Sequence, residues 1–178
     1  MAARADVTDS FETSRSGISG AAASLITLWA VLGGALLLVV VIMNVLSVIG
    51  AAVWVPLPGD FEMTEIGVAV AVFMFLPYCE LTGSNVTADI FTARAGPRTI
   101  AFFKLLGSIV AVIFSLLLLW RNYANMQSQK EYEYTTAILQ FPTWVAFIPI
   151  LVSLALLAVA ACLTLLENGG TVLDADRQ

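Results

Sequence analysis

Long apolar stretches separated by short polar ones set the plan of this chain. Residues 25–49 are apolar apart from Thr27, Asn44, Ser47 and small residues, and residues 143–166 read the same way. Residues 99–120 form a third run whose one charge is Lys104. Each reaches the roughly 20 residues a helix needs to cross a bilayer core. The run 66–79 is shorter, but 61–80 spans the membrane if Glu62 and Glu65 lie among the headgroups. Acids near a helix start also suit the positive end of the helix dipole. The pattern predicts an all-α membrane protein with four transmembrane helices at about 25–49, 61–80, 99–120 and 143–166. Polar tails, 1–24 and 167–178, flank this domain. The first run is longer than the apolar core of a leader, about 7–15 residues, and Arg4 and Arg15 are offset by Asp6, Asp9 and Glu12, so it reads as a retained span. Pro142 stands at the start of the last helix, where a missing N–H costs little.

Aromatic residues mark the same edges. Trp29 and Trp54 bracket the first span, Tyr78 closes the second, Trp120 and Tyr123 close the third, and Trp144 opens the fourth. Amphipathic rings prefer the membrane–water interface. Orientation follows from Lys and Arg: Arg4, Arg15, Arg94, Arg98, Lys104 and Arg177 fall on one side, Arg121 and Lys130 on the other. The positive-inside rule predicts cytoplasmic termini and puts the 121–142 connection on the opposite side.

Composition agrees with a lipid solvent. Of the 178 residues, 60% are hydrophobic and 12% charged, about half the charge of a typical soluble domain. A net charge of −5 gives no electrostatic footprint for a nucleic-acid partner. The chain has no histidine, which removes imidazole-ligated haem, the common zinc sites and His-based acid–base catalysis. Cys79 and Cys162 are far apart in apolar surroundings and read as buried structural thiols rather than a redox pair.

The spans themselves are poor in chemistry. Residues 25–49, 66–79, 105–119 and 143–166 contain no ionisable acid or base, and Asn44 is the deepest polar group of the first span, placed to hydrogen-bond a neighbouring helix. Pumps and ion-coupled transporters hold charges at depth or break helices around a midplane site. Gly33-Gly34 is the one candidate break, and such a pair also allows close helix packing. No catalytic, cofactor or metal site is expected, and the chain reads as a scaffold. Candidate subunit-packing positions are Gly67 and Ala71 on the second span and Gly107, Ala111 and Ser115 on the third, because small residues at four-residue spacing let backbones approach. They would serve contacts within the four helices or with another protein.

Several local patterns point to one family. These are the acids Glu62 and Glu65 at the start of span two, G-x-N-V-x-A-D at residues 83–89, and T-x-x-L-x-x-P-x-W formed by Thr136, Leu139, Pro142 and Trp144, followed by Pro149. In this layout the chain, from residue 25 to 166, resembles the small membrane subunit, DctQ-like, of tripartite ATP-independent periplasmic (TRAP) transporters. Asn85 and Thr87 stand where that family usually has histidine and arginine. The resemblance implies an inner-membrane, non-enzymatic subunit without a cofactor. It implies two protein partners, a large multi-span membrane subunit and a periplasmic substrate-binding protein, within a complex importing an organic acid on a sodium gradient. Membrane lipids are the remaining expected partner.

Two polar regions carry further expectations. Glu131, Tyr132, Glu133, Tyr134 and Trp144 form a candidate docking surface on the periplasmic side, mixing acids with the aromatic residues that interfaces favour. A plain connecting loop, with the tyrosines anchored at headgroups, is the other reading; two glutamates without a base, nucleophile or ligand set match no reaction template. Glu80, at a helix C-terminus where negative charge is disfavoured, belongs to a candidate interfacial cluster with Asp89, Arg94, Arg98 and Lys104. Residues 86–94 would form a short interfacial helix between spans two and three, with Ile90 and Phe91 toward lipid. The 85–87 segment matches a glycosylation sequon but falls on the side assigned to the cytoplasm. A small oligomeric channel or multidrug exporter is the alternative function, and it needs a membrane-embedded acid for which Glu65 is the nearest candidate.

Overall fold

A computed structural model of the chain describes residues 18–53, 55, 57–83 and 97–175. Trp54, the 86–94 segment with its sequon, and the tail residues Arg4, Arg15 and Arg177 lie outside the described residues. Four helices account for nearly all of the rest: α1 (Ile18–Val53), α2 (Asp60–Leu81), α3 (Pro97–Glu131) and α4 (Trp144–Ala175). All four are long and apolar enough to cross a membrane. Among the described residues there is no strand, only an isolated antiparallel bridge between Thr135 and Pro142.

Three helices outrun the bilayer, among them α4, whose 32 residues run about 48 Å. At 36 and 35 residues, α1 and α3 are about 54 and 52 Å long, against a hydrocarbon core of about 30 Å. In α3 the extension is the polar stretch 121–131, where side chains bridge successive turns. Asn122 donates to the Leu118 carbonyl at 2.9 Å, Gln127 to the Tyr123 hydroxyl at 2.8 Å and Ser128 to the Ala124 carbonyl at 3.2 Å. The helix therefore continues beyond the aromatic pair Trp120 and Tyr123.

The helices pack in the order α1–α2–α4–α3, with a lighter contact between α1 and α4. α2 and α4 are central; α1 and α3 sit at the two ends of the row. The core lies between the central pair, with Val70 and Met74 of α2 against Ile150 and Leu154 of α4, flanked by Trp29 and Leu36 of α1 and by Leu118 and Leu119 of α3. Only 11% of the apolar window of α1, and likewise of α3, is buried. Those faces must therefore meet lipid or another protein.

Small residues set the α1–α2 distance. A Cβ on Gly33 would lie 2.8 Å from the Met74 Cβ, and one on Gly67 2.5 Å from a Val40 methyl. Of the Gly33-Gly34 pair, Gly33 serves close approach, and the helix runs unbroken through both. Polar side chains lock the same interface. Asn44 donates to the Thr64 hydroxyl at 2.7 Å and to the Val40 carbonyl at 2.9 Å, and Ser47 donates to the Asp60 carboxylate. Asn44 thus bonds the neighbouring helix. Hydrocarbon offers polar groups no alternative partner, and among the described residues no buried side-chain nitrogen or oxygen lacks one.

A second pin joins α1 to α4. The Trp29 indole N–H donates to Ser153 at 2.9 Å, and Ser153 donates to the Pro149 carbonyl at 2.7 Å. The Trp29 ring, placed by sequence at the edge of the first span, thus also joins two helices. At the far end of α2, Gly83 takes the left-handed conformation (φ 62) and its N–H caps the Glu80 carbonyl at 3.2 Å. That geometry favours glycine and ends the helix.

Candidate functional site

The α1–α2 and α3–α4 connections meet at one end of the helices. After α3, Tyr132 and Glu133 turn the chain, Glu133 in the left-handed region (φ 48). The chain then folds back on itself. Thr136 N–H donates to the Phe141 carbonyl at 3.0 Å, Phe141 N–H to the Thr136 hydroxyl at 3.1 Å, and Thr143 N–H to the Tyr134 carbonyl at 3.1 Å. Gln140 at the tip has φ 51, a conformation that non-glycine residues hold only when their surroundings fix it.

What fixes it comes from α2. Glu62 accepts the Ile138 N–H on one carboxylate oxygen at 2.8 Å and the Leu139 N–H on the other at 3.1 Å. Carboxylates bonding backbone N–H groups make shorter, stronger bonds than neutral acceptors. Beside this clasp, Leu139 covers Gly59, the residue that starts α2 with φ 78. A Cβ there would lie 2.6 Å from the Leu139 side chain, so both conformation and space call for glycine. The T-x-x-L-x-x-P-x-W pattern now has a structural role. Thr136 closes the fold-back, Leu139 meets Gly59 and Glu62, Pro142 forms the bridge with Thr135, and Trp144 opens α4.

The docking candidates gather around this clasp. Glu131 ends α3 and is exposed; Tyr132 and Tyr134 are exposed, with ring centroids 6.0 Å apart. Glu133 and Trp144 line one shallow depression of about 420 Å³ with Lys130, Thr135 and Pro142. The Lys130 ammonium stands 5.7 Å from the Trp144 ring centroid, within the range of a cation–π contact. Ile138, Leu139 and Phe141 add apolar surface to the rim.

The small-residue candidates divide. Gly67 and Ala71 are buried against α1 in this same chain. On α3, Ser115 is buried and Ala111 half-buried, whereas Gly107 is exposed and a Cβ there would meet nothing within 4 Å. The buried neighbour is Ser108 instead. Of the interfacial charge cluster, Glu80 is half-buried in the last turn of α2. Asp89, Arg94 and the side chains of Arg98 and Lys104 lie outside the described residues.

Cys79 is half-buried and Cys162 is exposed, both as free thiols. The expectation of two buried thiols thus gives way at Cys162, where the apolar surroundings read from sequence are the outer face of a membrane helix. Among the described residues no group of three acids or cysteines could hold a metal ion. Sequence reasoning missed the Glu62 clasp. Its signal lay in two patterns, the acids of α2 and the Leu139 motif, that are 77 residues apart and lack a shared periodicity.

Comparison with known proteins adds one match. The family model described as tripartite ATP-independent periplasmic transporters, DctQ component, matches residues 40–168. No curated protein and no solved structure matches the chain.

Proposed function

The chain belongs to the DctQ family of TRAP transporter components, and from that premise we propose that it acts as the stationary frame of the transporter. Membership makes it a multi-pass membrane subunit that works in a complex with other subunits. The reading beyond membership is mechanical. A larger membrane subunit would carry an organic acid through the bilayer on a sodium gradient, and an element that moves needs something fixed to move against. The observation that supports this is the pairing of chemical emptiness with open apolar faces. The four spans hold no ionisable group at depth, yet α1 and α3 leave most of their apolar surface uncovered.

Co-expression with the large subunit tests the frame. The two should purify together, and the large subunit alone should lose stability and uptake. A large subunit that stays intact and fully active by itself contradicts the reading.

With both termini in the cytoplasm, the clasp end would face the periplasm and receive the substrate-binding protein. Glu131 and Glu133 are exposed there beside two tyrosines, and complementary charge mainly raises the rate of encounter. The double substitution Glu131→Lys and Glu133→Lys should lower uptake severalfold at low salt, with the difference narrowing as salt screens it. Unchanged uptake would leave the segment a plain connection. An autonomous exporter would instead need an acid at depth, and Glu65, the nearest candidate, stands in the second turn of α2.

A further inference from the structure

Between α2 and α4 runs an open groove of about 400 Å³. Its walls are Ala69 and Val70 of α2 and Ala146, Phe147 and Ile150 of α4. The two alanines open it, where larger side chains would close the helix pair. Glu62 and Glu65 stand at the mouth with Thr136 and Thr143, and among the described residues no basic side chain lines the groove. From Glu62 to Val70 the helix rises about 12 Å, close to the depth of one leaflet of a core about 30 Å thick.

We propose that this groove is a site for one phospholipid whose headgroup carries a primary ammonium, the phosphatidylethanolamine class. An acyl chain is the occupant that apolar walls at membrane depth accept, since water there would lack polar partners. Charge at the mouth selects the headgroup. Both Glu62 oxygens already accept the backbone N–H groups of Ile138 and Leu139, and the hydroxyls of Thr136 and Thr143 are neutral acceptors, weaker partners for a cation than a carboxylate. The exposed Glu65 carboxylate is therefore the group that receives the ammonium. A charge-assisted N–H···O bond there is about twice as strong as a neutral one. A quaternary ammonium has no N–H to donate, and a headgroup with net negative charge is repelled by both carboxylates.

Native mass spectrometry of the full chain released from detergent tests this, with palmitoyl-oleoyl phosphatidylethanolamine, phosphatidylcholine and phosphatidylglycerol offered in equal amounts. One phosphatidylethanolamine should be retained severalfold over the other two. Glu65→Gln should bring its retention down to that of phosphatidylcholine. Ala69→Phe, at an exposed position where folding is not at stake, should fill the groove and lower retention of all three lipids. Equal retention of the three by the unaltered chain would overturn the proposal, as would an unchanged preference in Glu65→Gln or undiminished binding in Ala69→Phe. In the assembled transporter, a cross-link from Ala69→Cys to another subunit would show protein covering the groove, which also overturns it.

Discussion

Replacing Gly33 by leucine should separate α1 from α2 and lower the melting temperature of the purified protein by several degrees. The reason is the identity of the neighbour. A Cβ at this position would lie 2.8 Å from the Cβ of Met74, an atom fixed to its own backbone that no rotamer change can withdraw. Overpacking of this kind costs about 1–3 kcal/mol, while removing a helical glycine returns only about 1 kcal/mol. The cost wins, and a leucine adds three further carbons to the clash. Gly34 supplies the control. A Cβ there would sit 3.9 Å from the Phe75 ring, an ordinary contact, so Gly34→Ala should leave the melting temperature unchanged or raise it. Gly33→Ala should lower it. Matching shifts in the two alanine variants would show that α1 and α2 do not meet as described.

Glu62→Ala should release the α3–α4 connection without unfolding the helices. Among the described residues the carboxylate is the only side chain from another element that bonds the Ile138 and Leu139 amides, and the left-handed Gln140 beside them is held by those bonds together with the Thr136–Phe141 pair. Amide hydrogen exchange at Ile138 and Leu139 should accelerate roughly tenfold, since exchange reports local opening. Exchange within α2 and α4 should stay as it was. Glu65→Ala removes the same charge one turn away and should leave the Ile138 and Leu139 amides protected. If the clasp orders the docking surface, uptake by the assembled transporter should fall in Glu62→Ala and hold in Glu62→Gln to the extent that the amide oxygen keeps one bond. Protection that survives Glu62→Ala would show that the carboxylate does not hold the connection.

The reach of sequence reasoning follows from what each step required. Crossing hydrocarbon imposes one demand, about 20 apolar residues in a row; three runs met it visibly, and the second, 61–80, met it with Glu62 and Glu65 placed among the headgroups. Partner choice imposes no such demand. Each of these helices is apolar nearly all round, so a face toward lipid and a face toward a helix look alike. Gly67 and Gly107 show the consequence. Both belong to small-residue repeats at the same spacing, yet one lies against Val40 and the other meets nothing. Trp29 was legible as an amphipathic ring but not as a pin to Ser153, because the bond joins residues 124 apart. The family patterns named Glu62 and Leu139 separately; only folding brought one to the other.

Uptake by proteoliposomes made with this chain alone, set beside uptake when the large subunit and binding protein are added, bears most directly on the idea that empty, open-faced helices serve a companion. Vesicles with the single chain should stay at background under an imposed sodium gradient and accumulate solute once the other two polypeptides are supplied. Gradient-driven accumulation by the single chain would mean that these four helices carry a transport path of their own.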